Sequence, residues 1–346
     1  MTRMLTQRSE SFRQWVSETL RERGEVFAAP IALQPIAADA SSRHFYRVEA
    51  RRGSFIAIDS PPLTENNEQY ARLSRFYIEA GLRVPDVLAL NLREGFLLVT
   101  DLGQTLMHDI IDEDNADTLY ARALNEVIRI QCLSPQPGMV PPYERERLEM
   151  ELSIFSEWLL VEFLDVAFTQ HERTLLAETT ALLVDAVDAQ PKVCIHRDFH
   201  SRNLVMSDAG ELGIVDFQDS LHGAYAYDPV SLLRDCYVTW PQTRIEGWAR
   251  QYHRRALAAQ VPAPAEFDTF MRDFDMTGVQ RHLKAVGIFA RLHLRDERDT
   301  LLEYIPPVLR ALIGVSVARP ELEKFGELLA ARVLPIAERR IESAHS

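Results

Sequence analysis

The stretch from Cys194 to Asp219, CIHRDFHSRNLVMSDAGELGIVDFQD, decides how the rest of the chain is read. Within it His196, Arg197 and Asp198 stand together, Asn203 follows Asp198 by five positions, and Asp216 closes an apolar run and precedes Phe217. Three short β-like runs, KVCI, NLVM and LGIV, surround these residues, the last two joined by Ser207-Asp208-Ala209-Gly210, which has turn chemistry. Carboxylates and an amide beside short apolar strands are costly to bury unless they serve a ligand. The polar residues therefore read as a site and the strands as its frame.

The order H-R-D-x-x-x-x-N followed by D-F is an arrangement that serves phosphoryl transfer. That reaction sets a hydroxyl in line with a γ-phosphate and neutralises charge on the equatorial oxygens. It calls for one carboxylate at the hydroxyl and two oxygen ligands for Mg²⁺, with ATP as the donor. Asp198 is the candidate for the first role, and Asn203 and Asp216 for the second. A proton acceptor so placed is worth about 10² to 10⁴ in rate.

Composition agrees with an enzyme and excludes other classes. A chain of 346 residues is long enough for two domains or one large bilobal unit. With 47% hydrophobic and 26% charged residues it is a folded chain and not a disordered one. Its 38 Lys and Arg against 51 Asp and Glu give a net charge of −13, without the dense basic patch that nucleic acid demands. Cys132, Cys194 and Cys236 lack disulfide or zinc spacing, which points to a reducing compartment, and Cys194 reads as a small buried hydrophobe. The N-terminal MTRMLTQRSESFRQW has no apolar h-region, and no uninterrupted apolar run of about eighteen residues occurs. A cytoplasmic protein with no membrane partner is expected.

Phe12, Trp15, Val16 and Leu20 fall at helical spacing, so residues 1–29 read as a helical N-terminal addition. Residues 30–103 carry the β-like runs IALQPI, HFYRVEA, SFIAIDS and GFLLVTDL, with one helix over about 65–80. Residues 104–346 are strongly helical, as Tyr120, Leu124, Val127 and Ile128 or Leu148, Leu152, Phe155 and Leu159 show, and contain the motif segment. The fold class is α+β, a small β-rich lobe followed by a larger, mainly helical one.

With these motifs the chain resembles the protein-kinase-like superfamily, in its aminoglycoside phosphotransferase branch, where His often stands two residues after the catalytic Asp; here that residue is His200. The stretch GAYAYDPVSLLRDCY extends the match. A closer resemblance is to bacterial kinases that phosphorylate the anomeric hydroxyl of N-acetylmuramate and N-acetylglucosamine in peptidoglycan recycling. It is carried by HRDFHSRNL, VDFQDS, DPVSLLRDCYVTWP, RHLKAVGIFARLHLRD and IDSPP, from about Ala38 to Pro307. The resemblance implies a bilobal protein-kinase-like fold with MgATP between the lobes. It also implies Asp228 bracing the catalytic loop, His196 and His200 supporting it, and adenine read by the backbone of a hinge at Thr100, Asp101 and Leu102. Only 12 positions separate Asp216 from Asp228, too few for the segment on which protein kinases lay a peptide, so the acceptor is a small molecule, here a sugar. Arg202, Arg234 and Arg197 are candidates for an anionic group on it, with a structural ion pair read ahead of that role for each, and Tyr237, Trp158 and Trp240 are aromatic candidates for stacking or core packing.

The first lobe departs from the kinase pattern. Its phosphate turn, Asp39 to His44, has no glycine, leaving Ser41, Ser42 and Arg43 to meet phosphate oxygens. The strand IAID puts Asp59 where a phosphate-pairing Lys is expected. Either Arg43 or Arg47 replaces that lysine, with Arg43 preferred, or Asp59 holds a cation or an arginine, or the enzyme is slow or inactive. Glu65 and Glu68 read as acidic residues opening a helix, ahead of an ion-pair role. Glu144, Glu146, Glu149 and Glu151, alternating with Arg145 and Arg147, read as a solvated face, and His282 and His293 as ordinary helix residues. Two other functions stay open: a kinase of an aminoglycoside, choline or homoserine, and a nucleotide-binding pseudokinase.

Overall fold

The computed structural model describes residues 2–27, 30–36 and 42–344. In chain order its elements begin α1 (Thr2–Glu22), β1 (Gln34–Ile36), β2 (His44–Ala50), β3 (Gly53–Asp59), α2 (Asn67–Glu79), β4 (Val87–Asn91), β5 (Phe96–Thr100) and β6 (Thr105–Leu106). They continue α3 (Met107–Ile110), α4 (Ala116–Gln131), α5 (Arg145–Ile154), α6 (Gln170–Asp188), β7 (Lys192–Ile195), β8 (Leu204–Met206), β9 (Leu212–Ile214) and β10 (Leu221–Ala224). The chain then runs through α7 (Tyr227–Leu233), α8 (Gln242–Ala258), α9 (Phe267–Asp296), α10 (Ile305–Val317), α11 (Glu323–Leu328) and α12 (Leu334–Ala344). It divides into two units, Met1–Leu106 with Asn203–Gln218, and Met107–Arg202 with Asp219–Ser346.

The first unit is built on an antiparallel sheet in the order β1-β2-β3-β5-β4. Strand alternation puts Val48, Ala57, Phe96 and Leu98 on one face, and the stripe Phe12, Val16 and Leu20 of α1 is buried against them. The Phe12 ring meets Phe96 edge-on, with centroids 5.0 Å apart. The opening helix, expected as an N-terminal addition whose apolar stripe must dock, packs that stripe into the core of this unit. The helix α2 starts at Asn67, capped by the Asn66 side chain accepting from the Gln69 N–H at 3.0 Å, so Glu65 precedes the helix and does not open it. The expected boundary at 103/104 shifts because Thr105 and Leu106 pair with Met206 and Val205. Residues 203–218 join the same unit through that pairing. There Gly210, at φ 76°, closes the β8–β9 hairpin, and the Val215 N–H donates to the Asn203 carbonyl at 3.0 Å.

The second unit is helical around α9, a helix of 30 residues that is buried along most of its length, with one antiparallel pair, β7 with β10. Residues 299–317, an apolar helical stretch of 19 residues, bury Leu302, Ile305, Leu309 and Leu312 in this unit's core. The helix α5 continues as a π-helical segment, Phe155–Phe163, and α9 presses on that junction. A Cβ at Gly287 would lie 2.7 Å from the Phe155 nitrogen and 2.8 Å from the Ile154 carbonyl carbon. Because both are backbone atoms, the methyl of Gly287→Ala has no room, and urea unfolding should show a loss of about 1–3 kcal/mol. Gly247 of α8 has nothing within 4 Å of an added Cβ, and Gly247→Ala should instead gain about 0.5–1 kcal/mol.

Candidate active site

In the second unit β7 runs directly into the motif. Asp228, in the first turn of α7 and fully buried, accepts from the backbone N–H of His196 at 2.7 Å and of Arg197 at 2.9 Å. Burial pushes its carboxyl up to about 6, opposed in part by His196 and the two N–H groups. His196 is itself fully buried, edge-on to Phe199 at 5.6 Å between centroids. Arg197 stands in the left-handed region at φ 79°, and its Nη2 donates to Glu151 Oε1 at 2.8 Å. Glu151 also accepts from the Tyr143 hydroxyl and lies 3.9 Å from Lys284 Nζ. The reading of Glu151 as solvated is therefore corrected. Glu144, Glu146 and Glu149 face water, whereas Glu151 is 2% exposed because Arg197 and Lys284 draw it inward.

Asp198 follows on this loop. Burial pushes its carboxyl up, but Lys284, Arg197 and Arg281, together with His200, outweigh burial and hold it well below the usual carboxylate range. Two of these cations come from α9, and sequence reading assigned no role to either. Beyond Asp198, the Ser201 N–H and hydroxyl both donate to Asp235 Oδ2, at 2.9 and 2.5 Å, and the Tyr237 N–H donates to Asp235 Oδ1 at 2.9 Å. The Tyr237 ring is met by His200 at 5.3 Å and Tyr304 at 5.1 Å between centroids, and the Arg202 guanidinium lies 4.3 Å over it. Arg202 and Tyr237, both acceptor candidates, thus come together, with Tyr304, a residue not singled out in the sequence, as a third member.

Arg234 does not join them. It is buried, ion-paired with Asp275, and lies over the Phe274 ring at 4.7 Å, so a counter-ion and a core aromatic hold it where the acceptor reading wanted an open cation. Its carbonyl bonds His282 Nε2 at 2.9 Å, and burial pushes the pKa of that histidine down to about 3, keeping it neutral. The Trp240 Nε1–H donates to Tyr120 Oη at 2.8 Å, and Trp158 is half-buried in the π-helical segment.

In the first unit Asp216 stands exposed at φ 66°. Its carboxylate accepts from Asn203 Nδ2 at 3.3 Å and Gln218 Nε2 at 2.6 Å. A carboxylate and amides form an oxygen-donor set suited to a hard cation such as Mg²⁺. Phe217 is buried against Tyr70 at 4.9 Å and Tyr77 at 5.8 Å between centroids, and the Arg43 guanidinium sits 5.6 Å from the Tyr70 centroid. Arg43 pairs with Glu65 at 2.7 Å and donates to Ser60 Oγ at 3.2 Å, while the Ser42 hydroxyl donates to the same Glu65. Glu65, read as a helix-opening acid, is thus the partner of a buried cation. Ser41 lies outside the described residues.

Asp59 is held by Arg8 of α1, whose Nη2 approaches Oδ1 at 2.5 Å. Arg47 Nε donates to Asp101 Oδ2 at 2.6 Å. Burial pushes the Asp101 carboxyl up, and Arg47, the Gly103 N–H and the Ser54 hydroxyl outweigh it and lower it. Thr100 Oγ1 accepts from the Asp86 N–H, and the Leu102 carbonyl from Arg83 Nη2, each at 2.9 Å.

Comparison with known proteins gives the family and the fold. The model of the phosphotransferase enzyme family matches residues 32–268. The N-acetylmuramate/N-acetylglucosamine kinase of Pseudomonas putida is 38% identical, over 91% of this chain and 94% of its own. The Neisseria meningitidis protein of the same name is 36% identical over 86% and 89%. Among solved structures, choline kinase from Streptococcus pneumoniae superposes with a TM-score of 0.61 at 12% identity, covering 87% of this chain and 98% of that one. The GDP complex of wild-type aminoglycoside 2'-phosphotransferase-IIIa gives 0.57 at 14%, covering 88% and 98%. The fold is therefore the bilobal protein-kinase-like one.

Glu151→Gln removes an anion that two buried cations share, and urea unfolding should register a loss of about 3–5 kcal/mol. The same change at exposed Glu149 should stay within about 0.5 kcal/mol.

Proposed function

The chain belongs to the phosphotransferase enzyme family, and on that footing we propose that it is a cytoplasmic ATP-dependent kinase of N-acetylmuramate and N-acetylglucosamine. It transfers the γ-phosphate to the anomeric hydroxyl, giving a sugar 1-phosphate for peptidoglycan recycling. The observation that carries this reading is Asp198, ionised among Lys284, Arg197 and Arg281, in a chain 38% identical to a kinase named for those two sugars.

Asp198 orients the acceptor hydroxyl. A carboxylate held so far below its ordinary pKa is a weak base. It therefore accepts the proton late, once bonding to the phosphoryl group has made the hydroxyl acidic. Asp228 keeps the loop in place through two N–H groups, and Asn203 and Asp216 are the residues that would hold Mg²⁺. Bound there, the metal would neutralise charge on the phosphates of the donor. Arg43, oriented by Glu65, takes the part of the missing lysine at the phosphates.

A phosphate-transfer assay with MgATP tests the acceptor. Turnover is expected on N-acetylmuramate and N-acetylglucosamine and not on an aminoglycoside, choline or homoserine. Turnover confined to one of the latter reassigns the enzyme, and nucleotide binding with no transfer at all makes it a pseudokinase. Asp198→Asn should lower kcat by about 10² to 10⁴ with the KM for ATP changed less than about threefold, and retained turnover would remove Asp198 from its role. Arg43→Met should weaken ATP binding by about tenfold or more, as loss of a charged phosphate contact does. Unchanged nucleotide affinity and turnover would leave the phosphates to another cation.

A further inference from the structure

Resting on the role proposed for Asp198, we propose that Tyr227 and Lys284 are positioning residues of this kinase. With Tyr143, Glu151 and Arg197 they form one buried hydrogen-bonded chain that sets the loop carrying Asp198, and they act on turnover through that loop and not by contact with a substrate.

All five residues belong to the second unit. From α9, Lys284 Nζ donates to Tyr227 Oη at 3.0 Å. The hydroxyl oxygens of Tyr227 and Tyr143 are 3.4 Å apart, and the two rings meet edge-on with centroids 5.4 Å apart. The Tyr143 hydroxyl reaches Glu151 Oε2, and Glu151 Oε1 accepts from Arg197 Nη2 at 2.8 Å. Each phenol has a single proton, and an ionised carboxylate can only accept. The Tyr143 proton therefore goes to Glu151 and the Tyr227 proton to Tyr143, so the donors run one way from the Lys284 ammonium to the Glu151 carboxylate. Tyr143, Glu151, Tyr227 and Lys284 are all buried, where a polar group that loses its partner is left unsatisfied.

Stability alone does not account for such an arrangement. A buried ion pair replaced by well-packed apolar side chains often leaves a protein as stable or more so. What the charges and hydroxyls add here is direction, and the element they direct is the catalytic loop. Tyr227 is followed by Asp228, whose carboxylate takes the N–H groups of His196 and Arg197 at 2.7 and 2.9 Å. A single turn of α7 thus grips the loop twice, by its backbone through Asp228 and by the Arg197 side chain through Tyr227, Tyr143 and Glu151. Asp198 is the next residue. Lys284, three positions beyond Arg281 on α9, acts on Asp198 as well as on Glu151, so the cation at the head of the chain also serves the acid that the chain positions.

Steady-state kinetics of the full chain with MgATP and N-acetylglucosamine provide the test, with the folded fraction of each variant set by circular dichroism. Tyr227→Phe keeps the buried ring and removes the hydroxyl. Its kcat should fall about tenfold, the effect of losing one hydrogen bond to a charged group, with the KM for ATP and for the sugar changed less than about twofold. Tyr143→Phe cuts the same chain one link further on and should cost as much. A chain cut twice loses little more than a chain cut once, so the double variant should also lose about tenfold, where independent hydroxyls would lose about a hundredfold. Tyr252→Phe removes another fully buried hydroxyl of the same unit, one that donates to Gln131 Oε1 at 2.6 Å, and should leave kcat within about twofold. An unchanged kcat in Tyr227→Phe, an equal loss in Tyr252→Phe, or a loss of about a hundredfold in the double variant overturns the assignment. The role of Asp198 fails separately, by turnover retained in Asp198→Asn, and the amino-sugar reading fails by a wild-type enzyme that leaves both sugars untouched.

Discussion

The site depends on one strained residue and the two carboxylates that hold it. Arg197 sits at φ 79°, a conformation costing a non-glycine residue about 1–3 kcal/mol unless its surroundings impose it. Asp228 imposes it from the backbone side, accepting the N–H of Arg197 and of the residue before it, and Glu151 imposes it from the side-chain end. Both anchoring carboxylates are buried, and burial alone would neutralise them. Lys284 and Arg197 answer for Glu151, which is held below the carboxylate range, whereas Asp228, sustained by N–H groups and His196, is pushed up to about 6. Of the two, Asp228 is the one whose charge depends on pH near neutrality.

The helix α9 explains how so many charges can be buried together. It is the central helix of the second unit, and on the same helix Arg281 and Lys284 face Asp198. Gly278, one turn earlier, leaves space for Arg234: a Cβ there would lie 2.5 Å from its Nη1. One helix therefore serves as packing core and as the source of cations, and it keeps the acid it surrounds in the charged form. That combination suits phosphoryl transfer, in which positioning contributes more than proton abstraction.

How much of this could be read from the sequence follows from the range over which each residue's environment is set. The H-R-D-x-x-x-x-N and D-F residues are set by a short loop and a hairpin, so their spacing alone groups them. Glu151 was misread because its neighbours Glu144, Glu146 and Glu149 are exposed, and its burial comes from Arg197 and Lys284, far along the chain. Glu65 was misread for a similar reason. A helix start at Asn67 and a partner at Arg43 are tertiary facts, and an acidic residue near a helix N-terminus gives no sign of them. Tyr304 carried no signal of its own, since an aromatic just before a pair of prolines is as easily core as surface. For Arg234 the structural ion pair was the reading put ahead, and what the sequence could not name was its partner, Asp275 on α9.

The missing lysine has a structural cause of the same kind. On β3 the side chains of Ala57 and Asp59 share a face, and α1 covers that face with Phe12, Val16 and Leu20, Arg8 reaching Asp59 at its edge. A lysine at position 59 would point at this helix, which is why the proposed reading takes the phosphate cation from Arg43. Because His44 pairs with Asp59 across the strands, the preceding residue, Arg43, falls on the opposite face, where Glu65 and Tyr70 receive it. The helix that read as an addition to the fold is therefore what occupies the face to which position 59 points. Asp59 and Arg43 are two ends of one rearrangement: the acid ties down α1, and the arginine, oriented by its own acid, stands beside the aromatic pair Tyr70 and Phe217 that leads to Asp216.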